Sequence, residues 1–317
     1  MLPCMDPALH AWLRDHEGIV TSADAASLGL SNGDLCAAAA RGELERVTRG
    51  SYVLRDRLTA GDPEQRHRLR LAAVLRRQPS HLVASHSSAA LVWDLPVSYA
   101  HLDRVHVARA IARGTTRRYP RHTLHEGYAE GTATVRDGTP VVIAPLAVLG
   151  TAFLYGMRAG VLVADAALRS RVTTSDELCV WMERLTRTPG MMRARAAVER
   201  SHASAESPGE SRLRLTLEDL GLRALPQFTI LDEAGCFVAR VDFYLPECGV
   251  VVEFDGHTKY GGTQGGAALV AEKQREDRIR ALGYAVVRLT SSDVDEPSRV
   301  GRMVRRAASG LGGPRPA

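Results

Sequence analysis

The clearest alternation of apolar and polar positions lies in the last third of the chain. Short segments there carry apolar residues at every second position or in β-branched runs, which indicates strands. The predicted strands are Gln227–Leu231, Phe237–Leu245, Gly249–Phe254 and Ala285–Leu289. Helical signals flank them, beginning with an N-cap serine, a proline and an acid. The predicted helices are Ser207–Leu220, Ala267–Leu282 and Arg299–Ser309. The element order is therefore αβββαβα.

Residues 6–60 carry shorter apolar repeats separated by caps and turns. Ser31 followed by Asp34 is a capping signal, and a Thr-Arg-Gly turn separates two short strands. The predicted elements are helices His10–Asp15, Ser22–Leu28 and Asn32–Arg41, and strands Leu44–Val47 and Ser51–Leu54. Three helices followed by a hairpin are typical of a winged helix-turn-helix domain.

The third helix of such a domain enters the major groove of DNA. Asn32 and Arg41 are its long polar residues, while Arg46 and Arg49 lie on the hairpin. These four residues are predicted to bind nucleic acid, the arginines through phosphates. The alternative is a small three-helix module that binds protein.

Residues 61–205 predict a mixed α/β domain that begins with an amphipathic helix at Glu64–Gln78. Seven of the eleven histidines lie in this region, and no two have the spacing of a metal-ligand motif. We expect most of them to be surface or capping residues. They are His67, His81, His86, His101, His106, His122 and His125.

Two acids interrupt the apolar strands of the last third. Asp242 and Glu253 would meet as a pair of hard-oxygen ligands if their strands are antiparallel neighbours, and Asp255 projects to the same side as Glu253. A carboxylate in an apolar strand is costly unless it meets a cation or a hydrogen-bond donor. Because Mg²⁺ prefers a few carboxylates plus water and substrate phosphate, these three residues predict a Mg²⁺ (or Mn²⁺) site.

The composition narrows the class of protein. With 45% hydrophobic and 24% charged residues, the chain is globular, and its net charge of +5 permits an anionic partner. No apolar run approaches the ~18 residues of a membrane span. The five cysteines are scattered without a CxxC pair. We therefore expect a reduced, cytoplasmic protein without membrane insertion. Only two of the 41 basic residues are lysines, Lys259 and Lys273, and both lie beside the acidic cluster.

The αβββαβ order with Asp242, Glu253 and a following lysine resembles the PD-(D/E)XK restriction-endonuclease-like fold. The segments SPGESRLR, VDFYLPE, VVEFDGHTKY and AEKQREDRIRALGYAVVRLT are similar to a family related to very-short-patch-repair endonucleases. Residues 6–54 resemble the winged helix of AbiEi abortive-infection antitoxins. The resemblance implies an α+β multidomain protein with a restriction-endonuclease-like domain at residues 206–310. It also implies that Asp242 and Glu253 hold the metal and that Glu210 is the acid of the first helix.

The chain departs from the generic pattern at one position, where Asp255 replaces the usual lysine. Either Lys259 orients or activates the attacking water instead, or the nuclease is inactive. Lys273 lies on the exposed face of its predicted helix, with Glu272 and Arg275 nearer the buried side. Glu210 has a second interpretation, as the acid of a capping box with Ser207.

Two functions follow from these features. The first is a metal-dependent endonuclease that binds double-stranded DNA, in phage defence or a toxin–antitoxin system with a toxin partner. The alternative is a non-catalytic transcriptional regulator or antitoxin with a degenerate nuclease domain. Nothing in the sequence separates DNA from RNA as the substrate, and fold resemblance alone does not establish activity.

Overall fold

The computed structural model describes residues 5–77, 81–111, 114–128, 131–256 and 266–310. The chain divides into two compact units, Met1–Ser201 and His202–Ala317. Together they contain helices and several sheets, which confirms the predicted α+β multidomain class. No helix in the described ranges combines the length and apolarity needed to cross a bilayer.

The first unit begins with a winged-helix module. Its elements are α1 (Pro7–Asp15), β1 (Ile19–Thr21), α2 (Ser22–Ser27), α3 (Asn32–Ala40), β2 (Leu44–Thr48) and β3 (Ser51–Leu54). The strands form an antiparallel sheet in the order β1-β3-β2, so the predicted hairpin gains a third strand that the sequence pattern did not indicate. Capping boxes at Thr21 with Asp24 and at Ser31 with Asp34 start α2 and α3.

The rest of the first unit is a six-stranded sheet covered by helices. Its strands are β4 (Leu82–Ala84), β5 (Val105–Arg109), β6 (Arg117–Arg118), β7 (His122–His125), β8 (Ala133–Arg136) and β9 (Thr139–Val142), in the order β6-β7-β5-β4-β9-β8. Its helices are α4 (Arg55–Ala60), α5 (Pro63–Arg76), α6 (His86–Val92), α7 (Ala144–Tyr155), α8 (Met157–Arg169), α9 (Ser175–Arg184) and α10 (Met191–Glu199). The apolar helix α7 packs between α6 and α8, which explains why it is buried almost throughout.

The predicted boundary between residues 60 and 61 falls inside this first unit. Helix α5 packs against all three strands of the winged-helix sheet, and one core runs from Val53 to Leu71 and Val74. The Ser51 hydroxyl also donates a 2.7 Å hydrogen bond to the Ala73 carbonyl, across the predicted boundary. The predicted boundary between residues 205 and 206 lies four residues from the division between the units.

The histidines of the first unit correct the sequence-based expectation. Five of the seven are buried, none more than 8% exposed: His67, His86, His106, His122 and His125. His67 is typical, because its ring nitrogens lie 2.8 Å from the Leu102 carbonyl and 2.8 Å from the Ser88 hydroxyl. These partners come from distant parts of the chain, so residue spacing alone could not reveal them.

The second unit is a four-stranded mixed sheet between helices. Its elements are α11 (Pro208–Asp219), β10 (Leu225–Leu231), β11 (Phe237–Leu245), β12 (Val250–Asp255), α12 (Gly266–Ala281), β13 (Ala285–Thr290), α13 (Ser291–Val294) and α14 (Pro297–Ser309). The strand order is β10-β11-β12-β13, and only the β12–β13 pair is parallel. This is the predicted element order with one extra turn of helix, α13. Separate apolar clusters pack around Phe243 and around Ile279.

Candidate nucleic-acid interface and carboxylate cluster

Helix α3 presents a largely small-residue surface. Leu35 and Ala38 are buried in the module core, while Asn32, Cys36 and Ala37 are exposed. Asn32 is already held in place, since its Oδ1 accepts a 2.9 Å hydrogen bond from Ser22 and its Nδ2 lies 3.7 Å from the Cys36 sulfur. The exposed face of the helix therefore carries mostly small side chains rather than a row of long ones.

The predicted arginines of this module fall into two groups. Arg41 makes a bidentate pair with Glu43, at 2.9 and 3.0 Å, so its charge is locally neutralised. Arg46 on β2 and Arg49 in the hairpin turn are exposed, and neither forms an ion pair with another described residue. Arg46 and Arg49 are consequently the cations of the wing that remain open to phosphates.

A basic groove in the same unit was missed by the sequence analysis. It has a volume of about 750 Å³ and also contains Glu45 and Asp103. The arginines that line it are Arg55, Arg66, Arg70, Arg104 and Arg121. Glu45 pairs with Arg70 at 3.1 Å and lies 3.8 Å from Arg121, which leaves the groove with excess positive charge. Arg66 and Arg70 lie on helix α5, but the other three arginines come from other parts of the chain, so no single run of charge in the sequence marks the groove.

In the second unit, charged side chains form a row across the sheet. Glu253 on β12 pairs in register with Arg288 on β13. On the other side, the β11–β12 register ends at Phe243 and Val252, so that Asp242 and Glu253 follow as the next facing pair. The two positions that the sequence analysis paired therefore lie one step beyond the last paired residues of the β11–β12 ladder.

Glu253 is held by two arginines. Its Oε1 accepts a 2.7 Å bond from Arg275 of α12, and its Oε2 lies 3.4 Å from the Arg288 guanidinium. Glu253 is only 8% exposed, and burial raises its pKa although both arginines act to lower it. Arg288 interrupts an apolar strand just as the acids do, so the same sequence signal could have identified it.

Glu272 and Glu276 of α12 complete this cluster. Arg275 donates to Glu272, and this bond lowers the pKa of Glu272 to about 2. Arg288 contacts Glu272 and lies 3.2 Å from Glu276. The prediction that Glu272 and Arg275 lie nearer the buried side of the helix is confirmed, and Lys273 is exposed. We call Glu253, Glu272, Glu276, Arg275 and Arg288 the arginine–carboxylate cluster.

The other predicted acids have their own contacts. Asp242 Oδ2 accepts a 2.8 Å hydrogen bond from the Phe254 amide, where the β11–β12 ladder ends. Asp255 lies 3.9 Å from Arg288. Glu210 is a capping residue, because its carboxylate accepts from the Ser207 hydroxyl and the Glu206 amide, while its own amide donates to Ser207. It also accepts a 3.2 Å bond from Gln227.

These contacts do not fit the predicted Mg²⁺ or Mn²⁺ site. A hard cation needs carboxylate oxygens directed at it, whereas both oxygens of Glu253 face guanidinium groups. Within the ranges that the structure describes, no group of three or more His, Cys, Asp or Glu residues is arranged to hold a metal ion. Lys259, the predicted water-orienting residue, lies outside the described residues.

Comparisons with known proteins match different parts of the chain. Residues 8–55 match a family model described as a transcriptional regulator, AbiEi antitoxin. Over 145 residues the chain is 30% identical to an uncharacterised protein of Mycobacterium tuberculosis strain H37Rv, and equally to one of strain CDC 1551. The alignments cover 45% of this chain and 52% of each relative, so the chain spans about half the length of the curated relatives it matches.

One solved structure is also similar to part of the chain. It is the catalytic domain of the homing endonuclease I-Bth0305I, at 14% sequence identity and a TM-score of 0.26. The match covers 33% of this chain and 97% of the endonuclease domain. A TM-score this low carries no weight for fold or function.

Proposed function

We propose that this protein is a transcriptional regulator that binds double-stranded DNA through its N-terminal winged-helix module. The main support for the proposal is that the observed fold and the family match cover the same residues. The segment that folds as a winged helix, Pro7–Leu54, is nearly the same as residues 8–55, which match the regulator family model. A regulator needs a DNA-reading element of this kind and does not need a catalytic site.

The DNA contacts follow from the geometry of the module. Helix α3 lies in the major groove, where its small exposed side chains allow close approach of the helix to the bases. Arg46 and Arg49 of the wing contact backbone phosphates, and the arginine-lined groove adds further positive charge in the same unit. Most of the affinity is then electrostatic, with counter-ion release on binding.

The arginine–carboxylate cluster supports a non-catalytic second unit. Arg275 and Arg288 satisfy the carboxylate of Glu253, so the acids stabilise the sheet and helix α12 through ion pairs. In this proposal the second unit is a degenerate restriction-endonuclease-like domain retained for its fold or for binding.

Selection of DNA fragments by the full-length protein tests the proposal. The protein is immobilised, incubated with a library of random duplexes, and the bound fragments are sequenced over several rounds. We expect a shared sequence to become enriched, and we expect little recovery with Arg46→Ala/Arg49→Ala. A matched control is Arg187→Ala/Arg195→Ala, which removes two exposed arginines elsewhere in the first unit. Failure of wild type to enrich any sequence would overturn the proposal.

Phosphodiester hydrolysis is a second candidate function. It is favoured by the facing positions of Asp242 and Glu253 and by the resemblance to PD-(D/E)XK and very-short-patch-repair nucleases. The test is incubation of supercoiled, linear and single-stranded DNA, and of RNA, with Mg²⁺ or Mn²⁺. Cleavage by wild type but not by Asp242→Ala or Glu253→Gln would support hydrolysis. Intact substrates that remain tightly bound would support the regulator.

The family description also includes antitoxins, so a toxin encoded beside this protein is the partner to test. The measurement is growth of cells that express the neighbouring gene with and without this protein. Rescue of growth would support an antitoxin role, and growth arrest in both cases would contradict it.

A further inference from the structure

The first unit contains a cavity of about 810 Å³ whose lining shares no residue with the winged helix or the basic groove. Helices α7, α9 and α10 contribute Phe153, Trp181 and Arg193 to its wall, and His86 and His125 also line it. Ligand cavities of this size hold compounds of a few hundred daltons. The cavity lies entirely within residues 86–193, so it is separate from the DNA-facing elements of the winged helix.

Two buried histidines line part of the cavity, and we call this part the floor. His86 and His125 are 6% and 8% exposed, and their rings stack with centroids 3.8 Å apart. His86 adopts a positive φ of 52°, a conformation that costs energy for a residue other than glycine. Such backbone strain is concentrated at binding and catalytic sites, because surrounding structure must be arranged to impose it.

A chain of hydrogen bonds connects His125 of the floor to the half-buried Tyr155. His125 Nε2 lies 2.9 Å from His106 Nδ1, and His106 Nε2 lies 3.0 Å from the Tyr155 hydroxyl. Burial lowers the pKa of His125 to about 4 and that of His106 to about 2, so both rings are neutral at physiological pH. A neutral imidazole has one donor and one acceptor nitrogen.

The ring nitrogens that remain are positioned for a ligand. His86 Nδ1 lies 3.1 Å from the Ser85 hydroxyl and His125 Nε2 is used by His106. Among the described residues, His86 Nε2 and His125 Nδ1 have no hydrogen-bond partner. The residues that carry these two nitrogens are 6% and 8% exposed and line the cavity. A ligand in the cavity that carries a donor or an acceptor can hydrogen-bond these nitrogens.

Another part of the lining, which we call the mouth, is cationic. Arg184 and Arg193 are exposed there, and the Arg184 guanidinium lies over the Trp181 ring, 4.8 Å from its centroid. Arg193 lies 3.5 Å from the Phe153 carbonyl. The one carboxylate in the lining, Glu126, only partly offsets these two charges. Arginines that are exposed beside an aromatic ring are suited to holding an anionic group.

A metal ion is a poor match for the floor. The imidazole rings of His86 and His125 lie face to face, so their nitrogens do not converge on one point. The described residues also contain no group of three or more His, Cys, Asp or Glu residues that could hold a metal ion.

We propose that this cavity binds a small planar heteroaromatic compound that carries an anionic group. The ring lies against the stacked imidazoles and Trp181 and hydrogen-bonds His86 and His125 through its heteroatoms. The anionic group lies at the mouth with Arg184 and Arg193. Nucleoside monophosphates and heteroaromatic carboxylates share this chemistry. The proposal is independent of DNA binding, because none of its residues belongs to the winged helix.

Titration of the full-length protein with two series of compounds tests the proposal. One series is AMP, GMP, CMP and UMP, and the other is nicotinate, picolinate and orotate. Binding is followed by calorimetry and by quenching of tryptophan fluorescence, with Trp181→Phe identifying the quenched residue. We expect at least one compound to bind with a Kd below about 1 mM, which corresponds to a binding free energy of about −4 kcal/mol. The series that binds identifies the source of the ligand.

Variants locate the site of binding. His125→Phe keeps an aromatic ring but removes the hydrogen bond, and Arg193→Gln removes one charge at the mouth. We expect each to weaken binding roughly 10-fold, the effect of losing one good polar contact. Arg195→Gln, an exposed arginine on the same helix, is the matched control and should bind like wild type. Arg193 is exposed, so its variant keeps the test valid should His125→Phe fail to fold.

Two results would overturn the proposal. One is that no compound in either series binds below about 1 mM. The other is that a compound binds but neither Arg193→Gln nor Trp181→Phe changes its affinity or its quenching, which would place it elsewhere on the protein.

Discussion

Replacing Arg275 by methionine tests whether Glu253 is a structural carboxylate. The substitution keeps a flexible side chain of similar length but removes the guanidinium 2.7 Å from Glu253 Oε1. At an effective dielectric of 20, that contact corresponds to a gross Coulomb energy of about 6 kcal/mol. Arg288 stays 3.4 Å away and part of the gross energy only offsets desolvation, so we expect a net loss of about 2–3 kcal/mol.

The stability lost in Arg275→Met should be larger at high pH than at low pH. Burial holds the pKa of folded Glu253 above its ordinary value of 4.5. The ionised carboxylate therefore lowers the stability of the folded state at neutral pH. This cost disappears as the pH falls through the folded pKa, because the group becomes protonated. Without Arg275 the folded pKa rises further. The deficit of Arg275→Met is therefore expected to be largest near pH 7.5 and to shrink toward pH 5.

Hydrogen exchange followed by mass spectrometry measures this loss of stability in the strands of the second unit. All three tryptophans, Trp12, Trp93 and Trp181, lie in the first unit, so fluorescence does not report on the second. Exchange of the β11 and β12 amides reports directly on the sheet that carries Glu253. The matched control is Arg280→Met, which breaks a half-exposed pair with Glu276 on the same helix and should cost no more than about 0.5 kcal/mol.

Two results would refute this reasoning. Unchanged protection of β12 in Arg275→Met would show that the arginine does not hold Glu253. A deficit that stays constant from pH 7.5 to pH 5 would show that the loss comes from packing or from the Arg275–Glu272 pair, which stays ionised over that range, rather than from Glu253. Tryptophan fluorescence should be unchanged in either case, which serves as an internal check on the first unit.

Three further outcomes follow from buried contacts. Ser88→Ala removes the hydroxyl bonded to His67 at 2.8 Å and should cost about 1–3 kcal/mol, measured by urea unfolding followed by tryptophan fluorescence. Gly209→Ala places a Cβ about 2.0 Å from the Phe254 ring and should lower β12 protection by about 1–3 kcal/mol, with partial rescue by Phe254→Leu. The folded pKa of His125 is lowered to about 4, so the first unit should lose stability as pH falls from about 6.5 toward 4, and a flat urea midpoint over that range would contradict this.

The sequence predicted the elements of the second unit well because local pattern determines them. Strand β11 was predicted at Phe237–Leu245, which are its observed bounds. The facing positions of Asp242 and Glu253 followed from simple alternation. Strand β1 was missed because the three residues Ile19–Thr21 are too few to show a periodicity, and they become a strand only by pairing with β3.

The chemistry of the site was less predictable. The sequence showed that Glu253 needs a cationic partner but not which one, because Arg275 reaches it only through the placement of α12 against the sheet. The buried histidines were misjudged for the same reason, since their partners are contributed by other elements. Long-range packing decides whether a charged or polar residue is a ligand, an ion-pair partner or part of the core.

The salt dependence of duplex DNA binding tests the central claim most directly. Fluorescence anisotropy of a labelled duplex is measured against full-length protein at several salt concentrations. For Arg46→Ala/Arg49→Ala we expect weaker binding and a log–log salt slope reduced by about two, one for each lost phosphate contact. Arg187→Ala/Arg195→Ala should behave like wild type. An affinity and slope unchanged by the loss of Arg46 and Arg49 would contradict DNA binding through the winged helix.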